Sequence, residues 1–157
     1  MDFGQGGGLR LEGSDAILRD NTISANTAGG RTGQGGGLYL SNCNAQLDDN
    51  LITGNTSTNK GGGLYLNYGD ALLTNNVIAN NQATENGSGS YLFESVSHWR
   101  HTTLVHNTGN QGIYVDGGVA VPVFTNTVLV SHTVALRPMS IAPLRSTASC
   151  GLIISPT

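Results

Sequence analysis

The sequence predicts an all-β chain wound into a parallel solenoid of about five coils, with three short strands in each coil. Three observations lead there. The hexapeptide GGGLYL stands at Gly35–Leu40 and again at Gly61–Leu66, and GGGLRL stands at Gly6–Leu11. The residues after it recur at fixed steps, which is the mark of stacked repeats. Apolar positions within a unit alternate with period two, and no stretch between units has helical periodicity. A segment such as TAGGRTGQGG cannot be helical, because each glycine costs about 1 kcal/mol in a helix.

The units align without a gap over four coils. Leu9, Leu38, Leu64 and Ser90 open them; seven residues on stand Ala16, Ala45, Ala71 and Ser97. Asn21, Asn50, Asn76 and Thr102 follow, then Ile23, Ile52, Ile78 and Leu104, then Asn26, Asn55, Asn81 and Asn107. The coils begin near Gly8, Gly37, Gly63, Gly89 and Gly112. In the fifth, Ile113, Tyr114, Asn126 and Val128 are expected in matching roles after one inserted residue. All length variation among the first four falls between the last asparagine and the next glycine, so one side of the stack carries the variable loops.

Each unit reads as three bursts. In the second coil these are GLYL, AQL and LIT, with Leu38, Leu40, Ala45, Leu47 and Ile52 inward and Tyr39, Gln46, Leu51 and Thr53 outward. Glycine ahead of the first strand permits a sharp turn. Asparagines at the turns are expected to stack as two ladders, Asn21–Asn50–Asn76 and Asn26–Asn55–Asn81–Asn107, each amide satisfying backbone groups of its own or a neighbouring turn. A leucine-rich repeat is the competing architecture, since LDDNLI mimics its core, but that fold lacks the glycine triplet.

Repeats occupy residues 1–136. After His132 the pattern ends, and the segment from Arg137 holds three of the four prolines and no asparagine. Residues 137–157 are expected to make no coil of their own and to cover the last one or be disordered. Because neither end shows an evident cap, the expectation is a piece of a longer stack, with flanking coils or self-association at its ends.

Composition narrows function. Charged residues are 11% of the chain and the formal net charge is -3, with a single lysine, Lys60, which argues against a nucleic-acid partner. No apolar run reaches membrane-spanning length, and MDFGQGGGLR has no secretory leader pattern. Cys43 and Cys150 make neither a disulfide framework nor a metal site; free thiols are expected, with one bridge as the alternative.

The repeated GGGLYL…A.L..N.I..N pattern resembles the right-handed parallel β-helices of the pectate-lyase-like superfamily. It is similar above all to the Gly/Asn-rich passengers of bacterial surface proteins, including polymorphic outer-membrane proteins. Their FxxN motif is replaced here by LxxN, at Leu18–Asn21, Leu47–Asn50 and Leu73–Asn76. The resemblance covers about residues 4–136. It implies a right-handed coil and an extracellular or cell-surface location. It leaves function open, since the superfamily includes lyases, glycosidases, epimerases and adhesins.

Candidate site residues follow from the outward columns. Arg10, Tyr39, Tyr65, Tyr91 and Tyr114 share one column on the first strand, where the superfamily's enzymes bind polysaccharide. They read either as a stripe for stacking sugar rings or as a stabilising aromatic ladder. Two residues on stand Glu12, Ser41, Asn67, Phe93 and Asp116. Glu94 and Asp116 are the one candidate carboxylate couple for a glycosidase. A lyase would need calcium ligands and a base, and Arg10 is alone there. In the fourth coil Trp99 replaces a core leucine beside Ser90 and Ser97, and His98, Arg100 and His101 are expected on a solvated face. Arg19 and Asp48 are placed to pair, and Asp20 and Asp49 are the only place where calcium is considered. The outer columns of the third strand turn apolar at Leu51, Val77, Val105 and Leu129. No catalytic set and no cofactor emerge. The expected function is a structural or binding module with polysaccharide as candidate partner; the alternative is a polysaccharide lyase or glycoside hydrolase.

Overall fold

The computed structural model describes residues 4–117 and 122–130 and the backbone of two further strands, Arg145–Ser146 and Ile153–Ser155. Every strand pairing is parallel, and the coils stack in three long sheets. The first holds Leu9–Glu12, Leu38–Ser41, Leu64–Asn67, Ser90–Phe93 and Ile113–Asp116 in that order. The second holds Ile17–Arg19, Gln46–Asp48, Leu72–Thr74, His98–Arg100, Val123–Thr125 and Arg145–Ser146. The third holds Thr22–Ser24, Leu51–Thr53, Val77–Ala79, Thr103–Val105, Val128–Val130 and Ile153–Ser155. A fourth, minor sheet joins Thr27–Ala28, Thr56–Ser57 and Gln82–Ala83. Its two-residue strands are too short for any alternation to show in sequence.

Register follows the repeat through four coils: Leu9 pairs with Leu38, Leu38 with Leu64 and Leu64 with Ser90. The fifth coil departs from the expected one-residue insertion. His98 pairs with Val123 and Leu104 with Leu129, so two residues are inserted after Ile113–Asp116. Asn126 therefore falls at a corner, Val128 faces outward, and Leu129 enters the core at 1% exposure instead of extending the outer stripe. Phe124 and Leu129 are the inward apolar pair of this coil, and one more residue of shift satisfies both.

Arg145–Ser146 pairs with Val123–Phe124, and Ile153–Ser155 pairs with Val128–Val130, adding strands to two sheets. Both strands are free of proline, with Pro143 before the first and Pro156 after the second, so each has the N–H groups a ladder requires. The rest of residues 131–157, Cys150 included, lies outside the described residues.

Four corners turn each coil, mostly on left-handed residues. In the third and fourth coils these include Tyr68 (φ 58), Asn75 (φ 55), Asn80 (φ 54), Glu94 (φ 48) and His101 (φ 51). The glycine triplet Gly61–Gly63 divides the demand ahead of the first strand. Gly61 has φ 66. Gly63 lies against the next coil, where a Cβ would sit 2.7 Å from Gly89 O and 2.9 Å from Asn81 Nδ2. Close stacking, more than turn geometry, requires that last glycine.

The core is a column of leucine and isoleucine closed by Trp99 and Phe124. Trp99 is fully buried, and its Nε1 donates to Ser97 Oγ at 2.8 Å. The two serines make room for the indole and one of them satisfies it, as the substitution pattern predicts.

Candidate functional site

The outer face of the first sheet carries the tyrosine column. Residue-for-residue pairing sets Tyr39, Tyr65, Tyr91 and Tyr114 one above another. Their rings stack at centroid distances of 5.3, 4.9 and 5.2 Å, with interplanar angles of 20°, 16° and 10°. Each ring therefore presents its faces to its neighbours along the axis of the stack. All four are at most 8% exposed, and Tyr91 is fully covered. The side chains leave the main core but form a second apolar cluster with Phe93 against it. This corrects the picture of a solvent-facing stripe: at Tyr65 and Tyr91 no ring face is left for a sugar to stack upon.

Charged residues close the column. The Arg10 guanidinium lies 5.8 Å from the Tyr39 ring centroid and pairs with Glu12. Lys60 reaches in from the loop side, with Nζ 4.7 Å from the Tyr91 centroid and donating to its hydroxyl at 3.0 Å. That hydroxyl in turn donates to Asp116 Oδ2. Lys60, Tyr91 and Asp116 thus form a chain from ammonium to phenol to carboxylate, on units three, four and five of the stack. Burial is the main cause that raises the Tyr91 phenol well above its ordinary value, reinforced by the hydrogen bond to Asp116. Tyr65 is raised as well, first by burial and then by Tyr39 and Asp116. Both phenols are held neutral by burial and are poor proton donors.

Lys60 was not among the residues singled out in the sequence. Its signal is positional. Gln5, Gln34, Lys60 and Asn86 each precede a glycine turn and are joined by successive bridges, so the lysine belongs to a ladder of long polar side chains beside the tyrosines.

The carboxylate couple is held by structural contacts. Glu94 N donates to Asp116 O at 2.9 Å. The Glu94 side chain lies over Gly117, where a Cβ would stand 2.8 Å from Glu94 Cγ. Asp116 is taken by Tyr91. At the neighbouring corner Tyr68 is 47% exposed and packs edge-on against Phe93 at 5.4 Å, so the accessible aromatic of this face is a residue the column did not include.

The asparagine ladders form as expected. Asn50 N and Nδ2 both donate to Asn76 Oδ1 at 3.0 Å, and Nδ2 also donates to Leu18 O at 2.8 Å. Asn55 and Asn81 repeat this arrangement toward Asn107. Thr102 replaces asparagine at the end of the first ladder, and Thr127 follows it, donating to Trp99 O at 3.4 Å. Elsewhere, Arg19 pairs with Asp48 at 3.1 Å, and His98, Arg100 and His101 are exposed. Asp20 and Asp49 are exposed corner residues with φ 55 and 56. Among the described residues no group of three or more acidic, histidine or cysteine side chains is placed to hold a metal. The Cys43 thiol is buried and donates to Ser41 O at 3.2 Å.

Residues 2–129 match the family model described as a right-handed beta helix region. The chain belongs to the right-handed β-helix family. Neither the curated proteins nor the solved structures gave a match to it. As a member of that family it is a repeat module, with stacked coils as its unit of construction. Among the described residues no helix is long and apolar enough to cross a membrane.

Proposed function

We propose that this β-helix is a non-catalytic structural module of a secreted or cell-surface bacterial protein. The observation that carries this reading is the fate of the first sheet's outer face. Its tyrosines stack on one another, and of its two aligned acids Glu12 pairs with Arg10 and Asp116 is bound by the buried Tyr91. A glycosidase needs an accessible acid and a second carboxylate across a sugar, and a lyase needs an exposed base. Here the phenols are covered and Lys60 is spent on Tyr91. The low charge and the polar, asparagine-built turns suit an extracellular scaffold.

Polysaccharide contact is a second reading, favoured by one feature. Tyr68 is exposed at the corner beside Asn67, and Asn67 Nδ2 donates to Ser41 Oγ at 2.9 Å. An aromatic ring flanked by amides suits the apolar face and hydroxyls of a sugar. The test is binding to a panel of acidic and neutral polysaccharides, with wild type beside Tyr68→Ala and a Tyr65→Ala/Tyr91→Ala double variant, and with release of reducing ends and unsaturated products measured in parallel. The scaffold reading expects no turnover. Binding lost only in Tyr68→Ala would establish the corner as a contact, and turnover by wild type would overturn the non-catalytic assignment.

A further inference from the structure

The three long sheets present unlike outer faces. The first is covered by its stacked tyrosines, and the second carries Arg19, Asp48, His98 and Arg100. The third holds no ionisable side chain from Thr22 to Val130. Its outward residues run in two columns, from Thr22 through Leu51 and Val77 to Val128, and from Ser24 through Ala79 to Val130. All are threonine, serine, alanine, valine or leucine. Leu51 and Val77, near the middle, are 38% and 37% exposed. Neither the asparagine ladders nor the tyrosine column uses this flat, uncharged face.

Along one edge of it runs a corner whose charge changes sign. Asp20, Asp49, Asn75, His101 and Asn126 stand there one per coil, all in the left-handed region with φ from 48 to 56. Asp49 and His101 therefore lie one coil to either side of Asn75, and all three are exposed. Along the opposite edge the corner residues are Ala25, Gly54, Asn80 and His106, with no acid among them.

We infer that the outer face of the third sheet pairs two copies of this chain side by side, with their stack axes antiparallel. A two-fold axis along the strand direction, at the level of Val77, exchanges the second coil of one copy with the fourth of the other. It sets Val77 against Val77 and Leu51 against Thr103. It also sets Asp49 against His101, once on each side of the axis, with Asn75 against Asn75 between them. His106 then falls opposite Gly54, away from any like group. A two-fold axis along the stack would instead set His101 against His106 and leave Asp49 against Gly54. The observed distribution of charge therefore selects the antiparallel arrangement. Packed sheets lie about 10 Å apart, a gap that opposed corner side chains span. Five strands of three residues make a face smaller than a standard interface, so the dimer is expected to be weak and to form above about 10 μM.

The test is sedimentation equilibrium of the full chain at low salt, from about 1 to about 500 μM. Wild type is expected to pass from monomer to dimer across that range. Val77→Lys sets like charges against each other on the axis and is expected to weaken pairing about 100-fold; His101→Asp sets acid against acid and is expected to weaken it about tenfold. The corner already holds both residue types at nearly the same φ, so the exchange Asp49→His/His101→Asp keeps the backbone and is expected to restore pairing. Circular dichroism and the thermal midpoint confirm that each variant is folded. A wild type that stays monomeric to the top of the series, which would leave the face to a partner of another kind, would overturn the inference. Pairing that survives Val77→Lys would do the same. An exchange variant that pairs no better than His101→Asp would overturn the antiparallel arrangement.

Discussion

The first and third coils are written in nearly the same letters, yet they carry different loads. Leu64, Leu66 and Leu73 are at most 1% exposed, while Leu9, Leu11 and Leu18 are only half-buried. Asn81 is fully buried and its amide is bonded to the coils on both sides, while the amides of Asn21 and Asn26 are bonded to the coil on one. What differs is the number of neighbours. In a solenoid a residue's contribution is set by the coils above and below it, so identical sequence does not mean identical energy.

The sharpest way to break that comparison is a methyl group. Gly63→Ala places a Cβ against the backbone of the next coil, which cannot move without unstacking, and is expected to cost about 4 kcal/mol or more. Gly13→Ala, at φ 57 with nothing within 4 Å, is expected to cost only about 1 kcal/mol for its left-handed backbone. Thermal melts of the two variants decide this, and equal losses would contradict the stacking account.

Next in size is the core. Trp99→Ala is expected to lose about 4 kcal/mol in denaturant unfolding, since the cavity is walled by rigid neighbours, against about 2 kcal/mol for the half-buried Leu18→Ala.

The ladders give a smaller and more specific contrast. Asn55→Ala leaves the backbone N–H and Nδ2 of Asn26 and the carbonyl of Ile23 without that partner, while Asn81 Oδ1 keeps the backbone N–H of residue 55, for an expected loss of about 3 kcal/mol. Asn26→Ala removes bonds on one side only and is expected to lose about 1 kcal/mol. Smallest is Arg19→Ala, whose ion pair with Asp48 is exposed and contributes under about 1 kcal/mol. A high-salt melt of wild type should show the same small change.

The fold was legible because stacking requires repetition, and repetition survives in the letters. Offsets from Leu9 to Asn107 fixed the register of four coils, and the serine pair beside Trp99 foretold its packing. Where the letters vary, legibility fails. The fifth coil was misread by one residue because Asn126 looks like a ladder residue, although Thr127 occupies that place. The tyrosine column was seen, but its burial was not, because covering it depends on ring-to-ring contact across coils and on a lysine delivered from a loop. Tyr68 was passed over because a bulky residue at φ 58 has no sequence signature. Sheet four was invisible at two residues per strand.

The tyrosine column is the part on which the scaffold reading turns, and its burial has a direct optical readout. Phenolate absorbance is followed as pH rises from neutrality in the folded chain. For Tyr65 and Tyr91 the folded state holds the proton more tightly than the unfolded state does. Stability from these groups is therefore complete below the ordinary tyrosine value of 10.0 and declines as pH rises beyond it. The expected result is that these two phenols stay silent near pH 10 and ionise only together with loss of β structure. Ionisation of Tyr65 and Tyr91 near 10 in a chain that stays folded would contradict the account.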